Sequence, residues 1–160
     1  MTYALSSQIT SVDNVEFNGL SCPIISNVSA GTKITITTTP TMTGVSKSAS
    51  NEIVLSSGAS YMVEASLVLI KKNVSSCFSF VQWYNSTDSV YIGQEAVIRT
   101  IDWFSQNTRV CRFVCRALIL DSDFTGSSMT IYPNTKSTNG GGAYGLSGFL
   151  SPSIQIWRIS

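Results

Sequence analysis

The sequence predicts an all-β protein, an antiparallel β-sandwich or barrel of about nine or ten strands. Three observations carry that prediction. Two long segments alternate between an apolar and a mixed set of side chains with a period of two residues. β-Branched and aromatic residues recur in short runs, whereas the helix formers Ala, Leu, Glu and Lys are scarce. Polar turns rich in Gly, Ser, Asn and Asp separate those runs at strand-like intervals.

Taken in order, Val15 to Phe17 reads as a first short strand and Ile24 to Val28 as a second, before Ala30-Gly31. Lys33 to Thr39 is almost wholly β-branched and stops at Pro40; residues 40–50, with Pro, Gly and small hydroxyl side chains, read as a loop. Asn51 to Leu55 is a strand, and Ser56-Ser57-Gly58-Ala59 turns the chain into the first long one. There Tyr61, Val63, Ala65, Leu67 and Leu69 form one face, and Met62, Glu64, Ser66, Val68 and Ile70 the other, until Lys71-Lys72-Asn73. Cys77 to Tyr84 follows, then the turn Asn85-Ser86-Thr87-Asp88, then Val90 to Ile92 and Gly93. Gln94 to Phe104 is ambiguous between a helical turn and a strand followed by a loop. Arg109 to Leu120 is the clearest strand: Cys111, Phe113, Cys115, Ala117 and Ile119 oppose Arg112, Val114, Arg116, Leu118 and Leu120. After a turn at Asp121-Ser122-Asp123, Ser127 to Tyr132 reads as a strand ended by Pro133. Asn134 to Gly148, with five glycines, reads as a long mobile loop, and Ile154 to Ile159 closes the chain as a last strand.

Composition narrows the function. Charged residues are only 12% of the 160, roughly half the usual share. Polar surface comes instead from 27 Ser and 16 Thr. A net charge of +1 gives no electrostatic footprint for nucleic acid. The chain has no histidine, which excludes Ser-His and Cys-His nucleophiles and His-ligated metal sites. No stretch approaches the roughly 18 apolar residues of a membrane span, and the first residues lack the basic and apolar regions of a signal peptide. Sequons at Asn27, Asn73 and Asn85 are what so much Ser and Thr produces by chance.

Four cysteines, Cys22, Cys77, Cys111 and Cys115, allow two disulfides. In a strand, Cys111 and Cys115 share a face about 13 Å apart, too far for a bridge; in a helix they would be neighbours, as in a metal-ligand turn. The reading adopted is buried free thiols, which suits a reducing cytosol.

Three segments in this order carry a resemblance: Leu55-Ser-Ser-Gly-Ala-Ser-Tyr61; Phe80-Val-Gln-Trp-Tyr84 with Ser-Thr-Asp and Tyr91-Ile-Gly93; and Ile154-Gln-Ile-Trp-Arg-Ile159. Over roughly residues 50–160 the chain resembles the C-terminal head domains of bacteriophage tail fibres and spikes with a tumour-necrosis-factor-like jelly roll. The resemblance is a pattern of strands and turns rather than a motif of fixed chemistry. It implies a jelly-roll sandwich over residues 1–160, as one domain or as the C-terminal piece of a longer fibre or spike protein. It also implies a homotrimer in the virion, made in the host cytoplasm, whose partner is a host cell-surface glycan or protein. No cofactor, metal, nucleic acid or membrane insertion is expected. The alternative is a capsid or decoration protein with no host ligand.

Two groups of residues follow as candidates. Met62, Glu64, Val68, Arg112, Val114, Arg116 and Leu118 mix apolar and charged side chains on one face of the long strands, as a face covered by another subunit does. Trp157 joins them because a jelly roll places its last strand in the same sheet, and Arg and Glu are expected to pair across that interface. For receptor contact, aromatic rings with hydroxyl or amide donors on loops suit a glycan. Tyr132, Asn134, Lys136, Asn139 and Tyr144 offer these on the Gly-rich segment, and Tyr84, Asn85, Asp88 and Tyr91 at the 84–91 turn.

Asp121 and Asp123 flank a serine as in some calcium turns, but two carboxylates fall short of six to eight oxygens. Asp88, Glu95, Asp102, Asp121 and Asp123 could in principle pair for glycan hydrolysis, yet nothing brings two of them together. Gly140-Gly141-Gly142 lacks the Lys-Ser/Thr of a phosphate loop. The chain is read as a binding module and not an enzyme.

Overall fold

The structure is a computed structural model and describes residues 12–18, 25–26, 30–36, 39–71, 76–101, 109–139, 142–144 and 153–159. Eleven strands occur among them: β1 (Val12–Asn18), β2 (Ile25–Ser26), β3 (Val45–Lys47), β4 (Ile53–Ser56), β5 (Ser60–Lys71), β6 (Ser76–Asn85), β7 (Val90–Ile101), β8 (Arg109–Ile119), β9 (Ser128–Asn139), β10 (Gly142–Tyr144) and β11 (Ser153–Ile159). One 3-10 turn, Asp121–Asp123, follows β8. No helix among the described residues is long and apolar enough to cross a membrane.

Hydrogen bonding runs in the order β1-β11-β5-β8-β7-β6-β9-β4-β3, with β10 pairing β5 and β2. All the pairings are antiparallel. Several neighbours, such as β11 with β5, β5 with β8 and β6 with β9, are not sequential, and the chain crosses between two layers: β1-β11-β5-β8 on one side and β7-β6-β9-β4-β3 on the other. A single cluster of buried side chains lies between them. It takes Tyr61, Val63, Ala65 and Leu67 from β5, Phe113, Cys115, Ala117 and Ile119 from β8, and Ile154 and Ile156 from β11. From the other layer come Val81 and Trp83 of β6, Ile53 and Leu55 of β4, and Met129 and Ile131 of β9. The alternation in the two long strands therefore sorts core from surface as the two-residue period requires. The last strand lies beside β5, as a jelly roll demands.

Several sequence expectations need correction. Residues 40–50 are not only loop, because Val45–Lys47 pairs with β4. Lys33 to Thr39 is not a continuous strand: Lys33 makes an isolated bridge to Asn134, and Ile34 and Ile36 are buried without ladder partners on both sides. The ambiguous segment after Gly93 continues as strand to Ile101. Pro133 does not end its strand, and Asn134 to Asn139 are β9 rather than mobile loop, with Gly142–Tyr144 forming β10. Residues 140, 141 and 145–148 of that segment lie outside the described residues. Pro133 is tolerated for a geometric reason. A strand residue points its N–H and C=O to the same side, and the Pro133 carbonyl accepts from Ile34 N at 3.0 Å. Its missing donor therefore faces the irregular 31–36 segment and leaves the β6 ladder intact.

Two close contacts lock the layers. The Trp83 indole N–H, fully buried, donates to the Cys115 carbonyl at 3.2 Å. A buried indole left without an acceptor would be penalised, so this bond selects the sheet spacing as well as filling it. The second contact is at Gly93, where β7 meets β8 through the Gln94–Arg116 pair. Gly93 has φ +70, and a Cβ there would lie 2.3 Å from the Arg116 carbonyl oxygen and 2.4 Å from the Ala117 Cβ.

Cys115 is a buried free thiol. Burial pushes it up from 9.0 to about 12. The other three cysteine side chains lie outside the described residues.

Two outcomes follow. Gly93→Ala is expected to destabilise by about 2–5 kcal/mol, the sum of left-handed backbone strain and overpacking, read as a lower urea midpoint at unchanged slope. Cys115 in the folded protein should resist iodoacetamide at pH 8.5 while reacting in urea, as read by peptide mass spectrometry. Because its folded value is raised, the stability it lends by staying neutral is intact below pH 9.0 and is lost as pH climbs towards 12.

Candidate functional site: a tyrosine row on the outer sheet face

Val81, Trp83 and Asn85 of β6 point inward, so Gln82 and Tyr84 point outward. The register sets Tyr84 opposite Tyr91 of β7 on one side and Tyr132 of β9 on the other. The rings form a continuous row: Tyr84–Tyr91 is edge-on at 5.0 Å between centroids, and Tyr84–Tyr132 is tilted at 5.5 Å. Tyr84 and Tyr91 of one group of receptor candidates thus meet Tyr132 and Lys136 of the other. They meet on paired strands rather than on loops, which corrects the expectation for Tyr132, Asn134 and Lys136.

A lysine caps each end of the row. Lys33 Nζ sits 4.4 Å over the Tyr132 ring, and Lys136 Nζ sits 5.0 Å over the Tyr91 ring. Each cation is also held by a glutamate. Lys33 pairs with Glu52, and Lys136 pairs with Glu95 at 2.7 Å while donating to Gln82 Oε1 at 3.1 Å. Gln82 in turn donates to the Gly93 carbonyl at 2.8 Å. Lys33, Glu52, Glu95 and Gln82 escaped the sequence reading of a binding surface. The only available signal was parity, because Gln82 alternates with Trp83; Lys33 and Glu52 reach the row through a non-local bridge.

The remaining candidates divide. Tyr91 is 39% exposed, whereas Tyr132 is buried apart from 9%. Asn134 is buried, and its Oδ1 has no hydrogen-bond partner. Asn85 and Asp88 build their own turn: Asn85 Oδ1 accepts from Thr87 N at 3.0 Å and its Nδ2 donates to Asp88 Oδ2 at 2.7 Å. Asp88 Oδ1 accepts from Thr125 Oγ1 at 2.8 Å. The side chains of Asn139 and Tyr144 lie outside the described residues.

Residues of the expected oligomer face stand on neighbouring strands. Trp157, Met62 and Leu118 stand in one cross-strand row of β11, β5 and β8, and Gln155, Glu64 and Arg116 in the next. Leu118 is 60% exposed, Met62 and Val114 each 37%, and Arg112 is exposed too; Trp157 and Glu64 are half-buried. The Val68 side chain lies outside the described residues. One expectation changes: Arg116 Nε donates to Glu64 Oε2 at 2.6 Å within the chain, because the register puts the two directly opposite.

The turn carboxylates serve backbone groups. Asp121 Oδ1 accepts from Gly58 N at 2.6 Å and Asp123 Oδ2 from Leu120 N at 2.8 Å. Among the described residues no group of three or more His, Cys, Asp or Glu side chains is placed to hold a metal ion.

No protein-family profile matches the chain, and no curated protein matches it. Among solved structures, that of Eiger TNF from S. frugiperda superposes with a TM-score of 0.60 over 93% of each chain, at 8% identity. The fold is a tumour-necrosis-factor-like jelly roll. At that identity the likeness concerns the fold alone.

Burial raises the Tyr132 phenol above its ordinary 10.0; Lys33 opposes this, and Glu52, Tyr84 and Tyr91 reinforce it. Lys33→Met removes the opposing cation and should move Tyr132 higher still, measured by ultraviolet difference titration against a Tyr132→Phe control. The sign follows from linkage: stability tied to the neutral phenol is full below pH 10.0 and declines above it.

Proposed function

We propose that the protein is the receptor-binding head of a phage or related viral attachment fibre or spike, acting as a homotrimer on the virion and recognising a host-surface glycan or protein. The observation that carries this reading is the Tyr91–Tyr84–Tyr132 row with its two lysines and the unpartnered Asn134 Oδ1. Sugars are held by aromatic rings together with a few oriented polar groups, and this row supplies both on a rigid sheet. The exposed apolar side chains of Met62, Val114 and Leu118 support self-association, since a row of them on one sheet face favours cover by another subunit.

Catalysis is not part of the reading. The chain lacks histidine, and Asp88, Glu95, Asp121 and Asp123 are engaged in turns or an ion pair. The second reading, a capsid or decoration protein, is favoured by the same apolar face, which needs only other virion proteins as partners.

Solution mass and cell binding separate these. A homotrimer has a mass of about 52 kDa, three times 17.3 kDa, and Met62→Glu should shift it towards 17.3 kDa. The fluorescently labelled protein should stain candidate host bacteria. Tyr91→Ala should weaken staining about tenfold through loss of a stacked ring, with mass unchanged. A trimer that stains no host would favour the capsid reading, and a monomer that stains none would remove both.

A further inference from the structure

A second feature lies away from the tyrosine row, at the end of the sandwich where β6 turns into β7 and β8 runs into the 3-10 turn. An open cavity of about 260 Å³ is found there. Its walls are apolar: Val90, Ile92, Leu118, Ile119 and Met129. Its polar lining is Asn85, Asp88 and Asp123, and no lysine or arginine contributes.

The two carboxylates already have donors, but neutral ones. Asp88 accepts from Asn85 Nδ2 and Thr125 Oγ1, and Asp123 from the Leu120 backbone N–H. None of these cancels a charge, and neither aspartate has an ion-pair partner among the described residues. A carboxylate offers about four lone-pair sites, so both keep acceptor capacity. The cavity therefore combines an apolar wall, on which Val90 is 47% exposed, with two negative charges without a cation.

We infer that this cavity binds a lysine side chain presented by a partner polypeptide. A volume of about 260 Å³ is enough for one inserted side chain. Lysine matches the lining along its length: its four-carbon stem covers apolar wall and its ammonium, with three donors, meets acceptors. The uncompensated charges select a cation over a neutral side chain of the same shape. Val90, exposed on the wall, provides apolar contact for the polypeptide that carries that lysine. This assignment does not depend on the tyrosine row or on its ligand, although it shares Leu118 with the face offered to another subunit.

The test uses the full chain with its methionine methyl groups labelled, since Met129 lines the cavity. Titration with Nα-acetyl-lysine methylamide should shift the Met129 methyl resonance saturably, with a dissociation constant on the order of 1 mM. Asp123→Asn should weaken binding about fivefold, and Asp88→Asn with Asp123→Asn more. Asparagine keeps a carbonyl acceptor for the turn; if the double variant fails to fold, Asp123→Asn alone gives the reading. The norleucine counterpart, which lacks the ammonium, should bind more weakly. Equal binding of the norleucine probe, tighter binding of free n-pentylamine, or no movement of the Met129 methyl each overturns the inference.

Discussion

The Trp83 indole reaches the Cys115 carbonyl only if its face of β6 points into the sandwich, and that single requirement orders much of the molecule. Alternation then turns Gln82 and Tyr84 outward. Antiparallel register brings Tyr91 and Tyr132 beside Tyr84; β9 also carries Lys136, while Lys33 reaches the row through its isolated bridge to Asn134. Core and surface site are two faces of one strand. The row is consequently held by backbone pairing on both sides, and its geometry inherits the rigidity of the sheet rather than of a loop.

With so few charges, where each one sits matters. Lys33–Glu52, Lys136–Glu95 and Arg116–Glu64 each join two segments distant in sequence. The more exposed Lys136–Glu95 and Arg116–Glu64 pairs contribute roughly 0–1 kcal/mol each, so they are weak as stabilisers. Their effect is orientation. Glu52 and Glu95 hold the two cations at the ends of the aromatic row, where a free lysine would sample many rotamers.

The fold was legible because its evidence is local. In β5 and β8 the two-residue period separates Tyr61, Val63 and Ala117 from Met62, Arg112 and Leu118 without knowledge of any partner strand. The terminal Ile154 and Ile156 obey the same rule. What escaped depends on non-local pairing. The extension of β9 past Pro133 needs Ile34 on one side and β6 on the other, and neither is signalled near Pro133. The tyrosine row was present in the sequence as two unrelated clusters, since only the register of β6 with β7 and β9 joins them. The Arg116–Glu64 pair was expected between subunits because a pattern of faces does not specify which strand is opposite which.

The outermost strand in one layer, β3, is three residues long and ends on Lys47. An unpaired strand edge is a template for foreign backbone, and its hold grows with the number of hydrogen bonds it can offer. Three residues offer too few to seed a cross-β stack. The same sheet that is open enough to display its outer face is thus closed to fibril growth from this edge, which suits a protein rich in hydroxyl side chains and poor in the charges that otherwise keep neighbours apart.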